Sequence, residues 1–352
     1  MAYTSIDNPE IYFQTKLYNG SNSSQSITLD GDQNMQPDWV WIKSRNGNSR
    51  DHCWYDSVRG VNKRLQSNTS DAEDTTSDQL TSFDSNGFSM GVGEADINSG
   101  GRTYVAWNWK AGTSVSGTTG GSGTSKSYSG SVNTDAGISI IAYTGNSTAG
   151  HTVPHHLGVA PQVVLCKRRG QSGQWTMGHE GLGGFNKFLE LDLTSAEQSQ
   201  TKRFNDTAPS STVFTLGSGL DTNADNITLI AYSFAEKKGY SKFGKYEGNG
   251  STDGPAVVTG FKPAWVMVKN VDSSQNWAMF DNKRPGFNVI NDILYPNNGD
   301  QEESENSIDF LSYGFKIRAS GNDRNGSGNK IIYMAFAEAP FVNSNGLPTD
   351  AG

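Results

Sequence analysis

Two pairs of charged residues occur at the same spacing in distant parts of the chain: Asp56 with Arg59, and Asp281 with Arg284. A carboxylate beside an arginine is suited to acid–base chemistry, but the same pair also clamps a turn. Because the pair recurs where no repeated chemistry is required, we favour a structural role and expect no catalytic residue. A third related segment carries His179 and Leu182 at these positions.

Three histidines in "HTVPHHLG", His151, His155 and His156, are candidate zinc ligands. A zinc site needs convergent ligands at rigid spacing and a second shell that orients them. The related segments build the same turn without histidine. We therefore expect a solvated loop here, and neither a metal nor another cofactor.

Two acidic segments are candidate calcium sites. In "DTNADN", residues 221–226, Asp221, Asn223 and Asp225 alternate as at the start of a calcium loop. Asn226 and Tyr232 stand where such a loop needs its glycine and its closing glutamate, so we expect a hairpin turn. The second segment is an acidic run for which we expect a solvated loop: Asp300, Glu302, Glu303 and Glu305.

Motifs of common enzyme classes are missing from the sequence. It contains no nucleophile elbow, Walker loop, zinc-protease helix or Rossmann fingerprint. A glycosidase needs only two carboxylates across a cleft, and 36 acidic residues leave that alternative open.

Composition restricts the partners. A net charge of −8 disfavours nucleic-acid binding, which requires clustered Lys and Arg. No apolar run approaches the roughly 18 residues of a membrane helix, and "MAYTSIDNPE" lacks the features of a signal peptide. Cys53 and Cys166 are far apart in the sequence, so we expect two buried thiols.

The chain contains an internal repeat. Three segments share Tyr, a Gly turn, Pro and an apolar run that ends in Lys. The shared residues are Tyr18, Gly20, Pro37 and Lys43; Tyr143, Gly145, Pro161 and Lys167; and Tyr246, Gly248, Pro263 and Lys269. The segments end in "YVAWNWKAG", "LIAYSFAEK" and "YMAFAEAP", so the repeats predict three modules.

Strand-like patterns dominate each module, and 41 glycines indicate many turns. The predicted fold class is all-β, with three tandem β-sandwiches of jelly-roll or lectin-like type. The predicted boundaries are an N-terminal arm (1–11), module 1 (12–112), a linker (113–136), module 2 (137–238), module 3 (239–342) and a C-terminal tail (343–352).

The linker is almost wholly Gly, Ser and Thr, which favours a flexible tether. We therefore expect modules 2 and 3 to pack as a nearly rigid pair while module 1 adopts other orientations.

The closing strands predict which aromatic residues are structural. Their alignment places Trp107, Tyr232 and Phe336 together as core residues. The same alignment places Trp109 with Phe234 and Glu338, so we expect Trp109 near a surface or a module boundary. On this interpretation, Trp109→Glu disturbs assembly more than folding.

The sequence contains several long motifs, among them "DSVRG", "YVAWNWKAG", "GYSKFGKYEGNGSTDGPAVVTGFKPAWVMVK" and "IYMAFAEAPFV". Together they resemble a family of repeat-containing virion structural proteins of tailed, especially marine, bacteriophages. The resemblance covers nearly the whole chain and implies a non-enzymatic tail-fibre or tail-associated protein that contacts the host surface. It also implies a virion location after assembly in the host cytoplasm, a homo-oligomer such as a trimer, and other virion proteins or a host surface glycan as partners.

Two alternatives remain open at this point. The same modules would suit a capsid decoration or head-fibre protein, or they would form the scaffold of a glycan depolymerase.

Overall fold

The computed structural model describes residues 3–47, 49–92 and 95–349. Its strands form paired antiparallel sheets, and its helices are single turns. The predicted all-β fold class, built of β-sandwiches, is therefore confirmed. The helical turns are two 3-10 turns, Pro9–Ile11 and Glu180–Leu182, and α1 (Thr201–Phe204), α2 (Leu220–Asn223) and α3 (Asn322–Asn325).

The strands fall into three modules, with a short group of strands between the first and the second. The first comprises β1 (Phe13–Asn19), β2 (Gln25–Thr28), β3 (Trp39–Ser44), β4 (Cys53–Asp56), β5 (Leu65–Gln66), β6 (Leu80–Asp84), β7 (Gly87–Met90) and β8 (Thr103–Trp109). A short group follows: β9 (Thr113–Thr118), β10 (Gly120–Gly121) and β11 (Ser127–Asn133). The second module contains β12 (Ile138–Thr144), β13 (His151–Pro154), β14 (Val163–Arg168), β15 (Thr176–His179), β16 (Lys187–Glu190), β17 (Gln198–Ser199), β18 (Val213–Leu216) and β19 (Thr228–Phe234). The third contains β20 (Ser241–Glu247), β21 (Ala256–Val258), β22 (Phe261–Asn270), β23 (Trp277–Asp281), β24 (Ile290–Ile293), β25 (Glu303–Leu311), β26 (Gly314–Ile317) and β27 (Lys330–Pro340).

Each module builds a larger and a smaller sheet, and equivalent strands follow the same order in all three modules. The larger sheets contain the runs β1-β8-β3-β4, β12-β19-β14-β15 and β20-β27-β22-β23. The smaller sheets contain β2-β7, β13-β18 and β21-β26. The third strand of each of these four-strand runs is the apolar segment that the sequence repeats.

These larger sheets are buried on both faces, which explains their continuous apolar runs. In β3, Trp39 and Trp41 lie in a core cluster shared by all three modules, while Val40 and Ile42 lie in a separate cluster within module 1. Successive strand residues point to opposite faces. One face therefore packs on the module's own small sheet and the other on the neighbouring modules.

The shared core brings aromatic rings from all three modules together. Between ring centroids, Trp39 lies 5.2 Å from Tyr232 of module 2, and Trp109 lies 5.7 Å from Trp265 of module 3. The ring centroids of Phe234 and Phe336, in modules 2 and 3, are 6.0 Å apart. All eight tryptophans belong to this cluster. The expectation that module 1 adopts other orientations is therefore wrong, because its largest side chains are buried against modules 2 and 3.

Residues 113–136 are not the flexible tether predicted from their composition. β11 pairs with β12 from Tyr128 to Asn133, and β9 pairs with β11, so the segment extends the larger sheet of module 2 as a hairpin. Tyr128 and Val132 are buried in the core of module 2. Backbone hydrogen bonds and these two apolar side chains order a segment whose average composition favours disorder.

The strand register also corrects the alignment of the third closing strand. Trp39, Val163 and Trp265 are paired with Trp109, Phe234 and Phe336 respectively. Phe336 therefore corresponds to Trp109, and Glu338 lies two residues beyond this position. A shift of two residues keeps every side chain on the same face of a strand, so the apolar pattern alone did not reveal it.

The two ends of the described chain lie together on module 3. The Tyr3 hydroxyl donates to the carbonyl of Gly260 at 2.8 Å, and the Ser344 amide donates to Asp7 at 2.6 Å. Both cysteines are free and buried, as expected. Among the described residues, no helix is long and apolar enough to cross a membrane.

Candidate functional site

Both predicted acid–arginine pairs lie at interfaces between modules. Asp56 and Arg59 form a fully buried ion pair, and the hydroxyl of Tyr232 in module 2 donates to Asp56 Oδ2 at 2.6 Å. Asp281 and Arg284 form the same pair in module 3, 2.6 Å apart. The structure thus brings two of the predicted structural residues, Asp56 and Tyr232, into direct contact across modules 1 and 2.

Trp107 completes the second of these contacts. Its indole Nε1 donates to Asp281 Oδ2 at 3.0 Å, which joins module 1 to module 3. Trp107 and Tyr232 occupy the same register position, opposite Trp41 and Leu165. The corresponding residue of module 3 is Met334, which has no such donor.

His179 takes the place of the aspartate in module 2. Its Nε2 lies 3.2 Å from the carbonyl oxygen of Tyr333 in module 3, next to Met334. Burial lowers the pKa of His179 to about 4, so the ring is neutral and donates to this carbonyl. The three modules are therefore joined in a closed cycle: module 1 to 2, 2 to 3, and 3 to 1.

Neither ion pair is arranged for acid–base chemistry. Asp56 Oδ1 accepts from the Arg59 amide at 2.8 Å, and Oδ2 accepts from Tyr232 and from the Arg59 guanidinium. Burial opposes the charge of Arg59, yet Asp56, Tyr232 and Glu73 hold its pKa above the usual value. With its oxygens occupied and no exposed surface, Asp56 stabilises an interface, and it lies out of reach of a substrate.

The lysines that end the repeated apolar runs form a second cycle of contacts. Lys43, Lys167 and Lys269 are fully buried, and burial lowers the pKa of each to about 8. Each ammonium group donates to a carbonyl of the preceding module in the cycle. The partners are Gly299 for Lys43 at 3.3 Å, Ser70 for Lys167 at 2.9 Å, and Thr194 for Lys269 at 3.0 Å.

A glutamate three residues after each of these carbonyls adds a third cycle. The backbone amides of Glu73, Glu302 and Glu197 donate to the carbonyls of Arg169, Arg45 and Val271 at 2.8–2.9 Å. The side chain of Glu73 also makes two hydrogen bonds to Arg169, and Glu302 binds Arg45 in the same manner. Paired contacts of this type fix both orientation and distance.

The acidic run in module 3 is therefore not a solvated loop throughout. Glu302 lies between Arg45 and Arg284, with distances of 2.7 and 3.0 Å, and only 14% of its side chain is exposed. The run inserts between modules 1 and 3 because the buried guanidinium group of Arg284 and the half-buried one of Arg45 require a carboxylate there.

The histidine segment also differs from the expected solvated loop. His151 and His155 are buried, and only His156 is exposed. His151 Nδ1 lies 2.7 Å from the Asn146 amide, and His155 Nε2 lies 3.1 Å from the carbonyl of Ser210. The rings thus fill polar positions inside module 2. Among the residues that the structure describes, no cluster of three His, Cys, Asp or Glu could hold a metal ion.

The segment predicted to be a hairpin turn, 221–226, instead begins within helical turn α2. Asp221 binds two arginines of module 2, Arg168 and Arg203, and Asn223 is fully buried. The turn leads into the last strand of the module.

Sequence reasoning missed a set of buried asparagines. Asn98, Asn223 and Asn325 each bind two backbone carbonyls through Nδ2 and accept a backbone amide at Oδ1. The tyrosines shared by the three repeats contact these asparagine turns. The hydroxyls of Tyr18, Tyr143 and Tyr246 each donate to the backbone carbonyl of the residue before the asparagine. The sequence spacing could have revealed these asparagines. Each lies eight residues before the same position of its module's closing strand, which is Ala106, Ala231 or Tyr333.

The anchor glycines have a steric cause. A Cβ at Gly20, Gly145 or Gly248 would collide with a backbone carbonyl of the asparagine turn, at Ser99, Ala224 and Gly326 respectively. No other residue allows this close approach of two backbones.

Comparison with known proteins assigns the chain to one family. No curated protein and no solved structure matches it. A family model described as a domain of unknown function, DUF7483, matches residues 8–340, which include the N-terminal turn, the hairpin and all three modules. The chain therefore belongs to the DUF7483 family.

Proposed function

We propose that the chain is a non-enzymatic structural protein of a tailed-bacteriophage virion, in a tail fibre or associated with the tail, where it contacts the host surface. The sequence resemblance supports this assignment. The structural observation that carries it is the closed cycle of contacts, which turns three sandwiches into one rigid unit.

The cycle favours a structural role because of how the charged groups are used. Asp56, Asp281, Glu73 and Glu302, with their arginine partners, hold modules together. A virion component must keep one shape in every copy and under mechanical load. A core shared by three modules resists local opening, because opening one module exposes apolar surface of the other two.

The test is to locate the protein on purified particles. Mass spectrometry of gradient-purified virions is expected to detect the chain, and gold-labelled antibody is expected to bind the tail. Label on the head facets would replace the tail assignment by a decoration role, and absence from purified particles would refute the proposal.

A second measurement addresses the enzymatic alternative. The pure protein is incubated with host polysaccharide, and reducing ends are counted over time. We expect no increase over a heat-treated control, and a steady increase would contradict the non-enzymatic assignment. The proposed homo-oligomer is measured separately, from the mass of the protein in solution.

A further inference from the structure

A cavity of about 550 Å³ opens on the surface of module 3. It lies between the loop after β23 and the turn that joins β25 to β26. The side chains that matter for its chemistry are Lys262, Asn282, Phe287, Asn288, Tyr313 and Glu338. None of these residues takes part in the contacts that join the modules through the buried lysines and acid–arginine pairs.

Phe287 is the most exposed large apolar side chain described in the chain, at 81%. Its counterpart in module 2 is Phe185. Phe287 lies six residues after Asp281, and Phe185 lies six residues after His179, which occupies the equivalent position of module 2. Phe185 is only 7% exposed and packs edge-on against Phe204 of α1 at 5.7 Å. In module 2, helical turn α1 precedes β18 and its Phe204 covers Phe185. In module 3, strand β25 precedes β26 in place of a helical turn, and the ring of Phe287 faces solvent. The same position is thus covered by the protein in one module and left for a partner in the other.

The loop that carries Phe287 is held in place. Asn288 Nδ2 donates to the carbonyl of Phe310 at 2.7 Å, and the amide of Phe310 donates back to Asn288 Oδ1 at 2.8 Å. Tyr313, 39% exposed, lines the cavity from the adjacent turn. The two exposed rings are therefore presented by anchored backbone, which lowers the entropy cost of binding.

The polar lining is nearly neutral. Lys262 lies 3.6 Å from Glu338, and Asn282 Nδ2 donates to the same carboxylate at 2.8 Å. Lys283 lies 4.0 Å from Glu10. Asn282 Oδ1 is buried without a hydrogen-bond partner among the described residues. The cavity thus offers aromatic faces, amides and a hydroxyl, with its charges already paired.

We propose that this cavity binds a neutral oligosaccharide, and this inference rests on the proposed contact with a host surface. A sugar ring has an apolar C–H face that stacks on Phe287 or Tyr313. Its hydroxyls can donate to the Glu338 carboxylate, which Asn282 holds in place through its Nδ2 hydrogen bond. The paired charges do not favour an anionic ligand. The polar lining does not favour an apolar peptide, which would remove water from the half-exposed Lys262–Glu338 ion pair without replacing its hydrogen bonds.

The experiment uses the full chain on an array of neutral bacterial polysaccharides, including dextran, mannan and galactan, followed by calorimetry with the best-bound probe. We expect Phe287→Ala to weaken binding about tenfold and Asn282→Ala to weaken it several-fold. Leu220→Ala is the matched control, because this side chain is 60% exposed but lies on module 2. Phe287→Ala and Leu220→Ala should melt at the wild-type temperature, which separates loss of binding from loss of folding.

Equal affinity of Phe287→Ala and wild type would overturn the inference, as would binding of an apolar peptide library in place of polysaccharide. Failure to bind any polysaccharide, with the chain present in purified virions, would refute the site and leave the proposed function standing. Binding with the chain absent from virions would do the reverse.

Discussion

Trp109→Ala tests whether the three modules share one core. Trp109 is 1% exposed and stacks on Trp39 of its own module at 4.0 Å. Its other close rings include Trp265 and Phe336 of module 3, at 5.7 and 5.6 Å. Its indole nitrogen has no hydrogen-bond partner among the described residues, so the substitution removes packing and no hydrogen bond.

The expected loss follows from burial. Truncating a buried tryptophan to alanine costs about 3–5 kcal/mol, because the cavity collapses only in part. Unfolding entropy of about 2.1 cal/mol/K per residue gives roughly 0.7 kcal/mol/K for a chain of 352 residues. The melting temperature should therefore fall by about 4–7 °C if the chain unfolds as a unit.

Differential scanning calorimetry measures both the shift and the number of transitions. We expect one transition in the wild type and one, at lower temperature, in Trp109→Ala. Trp109→Phe is the control, since a smaller ring keeps part of the packing and should lose less than half as much. A variant in which only part of the heat moves to lower temperature would show that module 1 unfolds alone, and would refute the shared core.

Three further predictions follow from contacts between or beside the modules. Asp192→Asn should stabilise the protein at pH 8 and change little at pH 4. Burial raises the pKa of Asp192 to about 7, so stability falls by up to about 1.4 kcal/mol per pH unit as pH rises from 4 to 7, and the variant should flatten this slope in melting curves. Tyr232→Phe should cost about 1.5–3 kcal/mol in denaturant titrations, because it removes a donor to the buried Asp56 carboxylate, and Asp56→Asn in the same background should show non-additivity. Amides of residues 127–133 should exchange slowly with deuterium, whereas a flexible tether would exchange within seconds.

The other two modules support the expectation that asparagine is tolerated at position 192. Asp192 Oδ1 accepts the amide of Trp175 at 3.0 Å, and Asn68 and Asn297 accept the corresponding amides of His52 and Trp277 at 2.8 and 2.9 Å. Modules 1 and 3 thus already use asparagine for this contact. A destabilised Asp192→Asn variant at pH 8 would mean that the carboxylate carries a favourable charge interaction, with Lys167, whose charge lowers the pKa of Asp192, as the candidate partner.

Much of the strand arrangement could be predicted from the sequence, because buried strands leave a strong local pattern. The apolar runs ending at Lys43, Lys167 and Lys269 are all central strands of the larger sheets. What covers their second face could not be predicted, because a continuous apolar run shows that both faces are buried without identifying the partner.

The sequence showed the acid–arginine pairs and Tyr232 as structural candidates, but it did not show which of these residues contact each other. Asp56 and Tyr232 lie 176 residues apart and belong to different modules, so no local spacing relates them. The repeat instead suggested that each module folds separately. Only the fold shows that the acid of one module binds the closing strand of the next.

Departures from the repeat differ in whether another part of the chain compensates for them. Where Met334 replaces the donor found at Trp107 and Tyr232, His179 replaces the aspartate, so the change is compensated inside the cycle. At Phe287 the change is not compensated, since the ring that is covered in module 2 is exposed in module 3. The contacts that join the modules leave this ring exposed beside an ordered polar cavity. On the oligosaccharide proposal, a bound sugar covers it.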